Sequence, residues 1–176
     1  MTAPEFDSLL TFRTAIGTCG LRWSGHGLSA VLLPGSRALA RPGSADAAGV
    51  PDLARQAAAA IASLLDGDNT DLRWIPLDPR GVDGFAARVY AATREIAPGA
   101  TAAYGEIARA AGDGHAARAV GVALARNPYP LVVPCHRVLA ADGALHGFSA
   151  PGGLSTKRRL LEIEGAPGFT QQPLFA

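Results

Sequence analysis

The chain has 176 residues and a formal net charge of +1, with 48% hydrophobic and 18% charged residues, 21 glycines and 13 prolines. That length buries one good core or two small ones, and the composition excludes a disordered or collagen-like protein. The near-neutral balance excludes a strong basic field of the kind that announces nucleic acid, and two cysteines at no metal or disulfide-framework spacing point to a reducing, cytoplasmic setting. Residues 1–7 hold two acids and no basic stretch, and no apolar run approaches the ~18 residues that a membrane span needs. Neither a signal peptide nor a membrane anchor is expected.

Residues 11–16, 21–24 and 28–33 read as three short strands, separated by Gly17 and by Gly25-His26-Gly27 as turn chemistry. A small antiparallel sheet is expected. Cys19 and His26 would make a metal pair only with further ligands, and none stands nearby, so no metal and no cofactor is expected. Residues 34–49 read as a loop. Asp52 is a candidate cap for a helix that places Leu53, Ala57, Ile61, Leu64 and Leu65 on one face and stops at Gly67. Residues 72–77 read as extended, and Asp78-Pro79-Arg80-Gly81 is the expected junction between a domain over 1–80 and another over 81–166.

Beyond the junction the texture turns helical. Phe85, Val89, Ala92 and Ile96 form an apolar stripe ended by Pro98-Gly99. Helices over 104–111 and 115–126, joined through Gly112, Asp113 and Gly114, make a helix-turn-helix candidate. The outer face of the second, with Arg118, Gly121, Val122 and Ala125, lacks the Asn, Gln or several Arg expected of a major-groove reader. Its small residues suit close approach to a minor groove, and suit equally a helix packed on a neighbour. Residues 131–133 read as a buried strand, 138–140 and 144–145 as a hairpin around Asp142-Gly143, and 147–153 as a flexible loop. A last helix starts at Gly153 or Ser155 and ends at Glu164-Gly165, followed by a flexible tail over 167–176. The expected fold class is α/β: a small N-terminal antiparallel sheet with a helix, then a mainly helical domain.

Pro134-Cys135-His136-Arg137-Val138 is where a nucleophile and a base coincide. A thiol attacks as its thiolate, and an imidazole within reach can take its proton. Adjacent residues on a strand face opposite ways, so a direct Cys135 to His136 contact needs a turn or a bridging water. The surroundings of this pair are Tyr104-Gly105-Glu106-Ile107-Ala108, Ala116-Ala117-Arg118-Ala119-Val120-Gly121 and Asn127-Pro128 upstream, with Gly147-Phe148-Ser149, Gly152-Gly153-Leu154 and the stretch from Lys157 to Gly165 downstream. In that order and spacing, residues 80–166 resemble the O6-alkylguanine-DNA alkyltransferases, which repair alkylated guanine.

The resemblance implies single-turnover transfer of an alkyl group from O6-alkylguanine, and from O4-alkylthymine as a further substrate, to Cys135. Cys135 is then the acceptor, His136 its water-linked base, Glu164 the carboxylate that orients the imidazole, Asn127 a turn-fixing amide, and Tyr104 the proton donor to the leaving guanine. DNA would meet Tyr104, Ala117, Arg118, Gly121, Val122 and Ala125, with Arg118 filling the gap left by a flipped base. Val138, His146, Phe148 and Ser149 would wall the base pocket. The partner is duplex DNA containing alkylated guanine, with no membrane, and the family acts as monomers. Taken singly, Tyr104, Arg118, Glu164 and Ser149 each have a structural reading; the joint spacing carries the resemblance. Ala150-Pro151 lengthens the loop before Gly152-Gly153, Phe148 stands where tyrosine is usual and His146 where a smaller residue is usual, so an altered preference among alkyl groups is expected. The rival reading is a non-catalytic alkyltransferase-like protein that binds the lesion and recruits other factors; such proteins lack the cysteine. A cysteine hydrolase would need a distant histidine and an oxyanion hole that the sequence does not place.

Overall fold

The computed structural model describes residues 8–40 and 49–170. The first seven residues, residues 41–48 of the loop expected over 34–49 and the end of the expected tail lie outside the described residues. Strands β1 (Ser8–Thr14), β2 (Gly17–Ser24) and β3 (Gly27–Leu32) form an antiparallel meander in the order β1-β2-β3. Both turns fall where the glycines are: Thr14 pairs with Gly17 and Ser24 with Gly27. Each strand begins earlier than expected, because backbone pairing also takes in residues 8–10, 17–20 and 27.

Helix α1 (Asp52–Leu65) packs on β1 and β2. Its cap position is Pro51, and Asp52 is the first helical residue, where its charge favours the helix dipole without capping it. The buried stripe is Ala54, Ala57, Ala58, Ile61, Leu64 and Leu65, whereas Leu53 is exposed. Alanines on the inner face let α1 approach the sheet closely. The helix ends before Gly67, which has φ +97°.

The expected extended segment at 72–77 is folded back instead, and only Leu77 bridges to Leu28. The cause is Arg94, whose Nη2 donates to the carbonyls of Arg73 and Ile75, both at 2.8 Å. Asp78, at the expected junction, is buried. Its carboxylate accepts from Ser24 Oγ at 2.6 Å and from Arg80 Nη2 at 2.6 Å, its amide donates to the Leu28 carbonyl at 2.8 Å, and its carbonyl accepts from Tyr129 Oη. Residues from the two halves share one hydrophobic cluster, running from Leu21 and Ile61 to Val89, Val120 and Val133.

Helix α2 (Gly84–Arg94) is capped by Asp83, which accepts the Ala86 amide at 2.8 Å. A two-residue strand β4 (Ala102–Ala103) leads into α3 (Tyr104–Ala110), and α4 (Ala117–Ala125) follows after a turn through Gly112. Strand β5 (Val138–Leu139) pairs in parallel with β4. The Asp142-Gly143 turn is closed by the Ala140 amide on the Ala144 carbonyl at 3.1 Å, but no second strand follows, because β5 has found β4. Helix α5 spans Gly153–Ile163. The described start of the tail is packed: Phe169 joins Leu139, Leu161 and Ala166, and the Arg158 guanidinium lies 5.6 Å from its ring centroid. No helix among the described residues is long and apolar enough to cross a membrane.

Candidate active site

Asn127, just after α4, sets the turn that carries the cysteine. Its side-chain oxygen accepts the Tyr129 amide and its nitrogen donates to the Val133 carbonyl, both at 2.9 Å, while the Val133 amide returns to the Tyr129 carbonyl at 2.8 Å. Leu131 takes φ +75°, an uncommon value for a leucine. The strand expected over 131–133 is therefore a buried turn; Pro128, Pro130 and Pro134 remove the amide donors that a ladder would need.

Cys135 opens a single turn of 3-10 helix, Cys135–Arg137. With about three residues per turn, consecutive side chains fan out in different directions. Cys135 stays partly exposed, while His136 is fully buried and Arg137 nearly so.

Behind the cysteine lies a closed charge cluster. His136 Nε2 sits 2.8 Å from Glu164 Oε1, and Arg137 donates to the same carboxylate through Nε at 2.9 Å and Nη2 at 2.8 Å, with Nη1 on the Ile96 carbonyl at 2.6 Å. Glu164 caps α5, and the turn at Gly99 presses on it: a Cβ there would fall 2.9 Å from the Glu164 carbonyl. Burial alone would raise the Glu164 pKa, but His136 and Arg137 hold it down at about 2. A carboxylate can only accept, so the proton of the shared bond belongs to His136 Nε2 and the lone pair to Nδ1. Nδ1 is buried with no hydrogen-bond partner among the described residues. Burial also lowers the His136 pKa, which keeps the resting imidazole neutral and able to accept a proton.

Burial pushes the Cys135 thiol above its ordinary 9.0, against the pull of the Asn127 amide and the Lys157 ammonium. The resting sulfur is a protonated thiol. Lys157 is itself fully buried, donating from Nζ to the Val138 carbonyl at 2.7 Å and the His146 carbonyl at 2.9 Å, and burial lowers its pKa to about 8. Tyr104 Oη donates to the same His146 carbonyl at 3.2 Å. Burial, and then Cys135, raise the tyrosine's pKa, so the phenol keeps its proton.

Cys135 forms part of the wall of a cavity of about 620 Å³. From α4 come Ala117, Arg118, Gly121 and Ala125, from α3 Tyr104, and from the loop after β5 His146, Phe148 and Ser149. Val138 does not reach it: the side chain is buried, and its carbonyl is bound to Lys157. Val122 is 48% exposed on the other flank of α4, beside a separate cavity of about 490 Å³ that also touches Arg126. Asn127, His136 and Glu164 support the cysteine from behind. Arg137 and Lys157 are the parts that sequence reasoning missed, although Arg137 stands in the Cys-His pentapeptide and Lys157 is the single lysine of the chain. Cys19, by contrast, is buried in the sheet core, 3.7 Å from Thr14 Oγ1, and no group of three metal-ligating side chains occurs among the described residues.

Comparison with known proteins covers most of the chain. Residues 84–166 match the family described as 6-O-methylguanine DNA methyltransferase, DNA binding domain. The methylated-DNA--protein-cysteine methyltransferase of Mycobacterium bovis is 46% identical over 101 residues, 57% of this chain, and the match spans only 59% of that relative's length. The protein of the same name from Methanothermobacter thermautotrophicus is 36% identical over 147 residues, 83% of this chain and 78% of the relative. Among solved structures, Mycobacterium tuberculosis OGT in complex with DNA is 34% identical and superposes with a TM-score of 0.70, covering 92% of this chain and 96% of that one. An amino-acid variant of the same OGT gives 33% identity and a TM-score of 0.72 over 96% of both chains.

Proposed function

Because the chain belongs to the O6-methylguanine DNA methyltransferase family, we propose that it repairs duplex DNA by moving an alkyl group from the O6 oxygen of guanine to Cys135, once per molecule. The observation that carries this reading is the position of Cys135: in the wall of a large cavity shared with α4, backed by a neutral imidazole whose free nitrogen can take a proton. Residues 84–166 act as the DNA-binding domain, with the sheet of the N-terminal half as support.

Helix α4 lies in the minor groove, where small side chains allow close approach and groove width matters more than sequence. A sulfur on a protein wall cannot reach O6 inside the base stack, so the nucleotide rotates out at a cost of a few kcal/mol. Arg118, exposed at the rim, fills the gap, and the guanine enters between Tyr104 and the 146–149 loop. The thiol proton passes to His136 Nδ1 through a bridging water, and Glu164 with Arg137 steadies the imidazolium that forms. The sulfur then forms a bond to the alkyl carbon as the bond from that carbon to O6 breaks. The electron pair goes to guanine, which takes a proton from Tyr104; the proton lost by the thiol restores the balance. The thioether is not hydrolysed, so the protein is consumed. It acts as a monomer in a reducing cytoplasm.

Intact-protein mass after mixing with a duplex carrying one O6-methylguanine tests this. Wild type should gain one methylene mass, mapped to Cys135, and Cys135→Ala should gain none while still binding. Binding without mass gain in the wild type would instead favour a damage-recognition role.

A further inference from the structure

The near-neutral total charge conceals an uneven distribution. Residues 8–40 carry Arg13, Arg22 and Arg37 and no acid, whereas residues 49–83 carry six acids and three arginines. The family-matched stretch over 84–166 has nine Arg and Lys with six acids, over a much longer span. The sheet is therefore the most one-sided part of the chain in charge.

Strand register puts two of these arginines on one face. Arg13 opposes Thr18, Thr11 opposes Gly20 and Leu9 opposes Arg22, so with a period of two all six share that face. It is the outer one, because Cys19 and Leu21 point the other way, fully buried in the core on the side of α1. Thr11, Arg13 and Thr18 are exposed and Arg22 is half-buried. Neither guanidinium makes a hydrogen bond or ion pair among the described residues. Arg37 stands at the edge of the same face, on a segment that lies across it: a Cβ on Gly20 would fall 2.7 Å from Leu39 Cδ2.

This face opens on the same side of the molecule as the cysteine. Cys135 borders a second cavity, of about 210 Å³, whose wall includes Ala30 and Leu32. Ala30 pairs with Arg22 and Leu32 with Gly20, so both belong to the outer face. From α4 the surface thus runs across Phe148 and Ser149, which wall both cavities, onto β3 and then to Arg22 and Arg13. Arginines and hydroxyls with no carboxylate among them suit a phosphate backbone, which they hold in place without reading sequence. Four residues of strand separate the two arginines by roughly 14 Å, so they meet separate phosphates.

We propose that the outer face of the β1-β2-β3 sheet is a second phosphate-binding surface, where Arg13, Arg22 and the two threonine hydroxyls take the backbone of the duplex held by α4, beyond the flipped nucleotide. The inference rests on the DNA-repair reading above, and it gives the N-terminal half a share in DNA binding besides its supporting role. An acidic protein would match the same charge, but the side shared with Cys135 favours the duplex.

The test measures binding of the full chain, as Cys135→Ala so that it is not consumed, to a long duplex carrying one O6-methylguanine over a range of salt concentrations. In that background Arg13→Gln/Arg22→Gln should bind less tightly, and its slope of log affinity against log salt should become shallower by about 0.9 for each arginine that meets a phosphate. Arg13→Lys/Arg22→Lys should keep the parent slope, because counterion release follows charge. With Cys135 restored, the glutamine variant should transfer at the wild-type rate on saturating duplex, since neither arginine touches the reacting atoms. An unchanged slope in the glutamine variant, or a lysine variant that loses as much, overturns the assignment of this face. A parent protein that binds no duplex at all overturns the DNA-repair reading and this inference with it.

Discussion

Lys157 places a buried ammonium between the carbonyls of Val138 and His146, within 5.9 Å of the Tyr104 ring and close enough to Cys135 to favour its thiolate. Replacing it with Met removes the one cation that opposes burial at the sulfur. The pH at which Cys135 reacts with iodoacetamide should then move up, and transfer at neutral pH should slow about tenfold for each unit of that rise. Because the ammonium loses its proton above about pH 8, the variant and wild type should converge at higher pH. An unchanged alkylation profile would remove Lys157 from the chemistry. The sequence could point to Cys135, His136 and Glu164 through a resemblance, but it could not reveal that Arg137 and Lys157 turn inward. An arginine or lysine is ordinarily a surface residue, and only the carboxylate and carbonyls converging on these two make burial affordable.

Helix α4 presents Arg118, Gly121, Val122 and Ala125 outward, as its sequence indicated. Gly121 is not held in the left-handed region, and a Cβ there would meet Tyr104 Cε1 at 3.9 Å, an ordinary contact. Gly121→Ala should therefore stabilise the fold by up to ~1 kcal/mol through helix propensity, raising Tm by about 2–4 °C, while weakening duplex binding if, as proposed, the added methyl group lies on the face that approaches DNA. Loss of stability, or unchanged binding, would count against α4 as the close-approach helix. The helices were legible because a 3.6-residue apolar stripe is a local property. Of the strands expected after residue 70, only 138–139 forms, and it pairs with a strand some 36 residues earlier rather than with 144–145, whereas 131–133 is turned by the Asn127 side chain and 72–77 by Arg94.

Across the whole molecule, Asp78 joins the N-terminal sheet to the helical half through Ser24, Arg80, Leu28 and Tyr129. Arg80 holds its carboxyl well below the ordinary 3.8, against burial, and His136 and Arg137 hold Glu164 at about 2. Both folded pKa values lie below the unfolded ones. Their stabilisation is therefore present above the unfolded values and is lost as pH falls through the folded ones. Unfolding free energy should be nearly flat in these groups above about pH 5 and should decline as pH drops below about 4. Asp78→Asn should cost about 1–3 kcal/mol at neutral pH and show a shallower acid decline, measured by urea denaturation across pH. An acid decline as steep as that of wild type would place the acid lability elsewhere.

The chain by itself determined the Cys135-His136 pair, the order of the helices, the sheet and its turns, and the small-residue face of α4, because each depends on residue type and short-range periodicity. Only the tertiary structure decided that Asp78 is a buried hub, that His136 keeps its free nitrogen at Nδ1, that Lys157 lies beside the thiol, and that Cys135 borders two cavities. Those features arise from groups separated in the chain meeting in space, 28 residues apart for His136 and Glu164 and 54 for Ser24 and Asp78. Their charges and hydrogen bonds take on meaning only once burial removes water as the alternative partner.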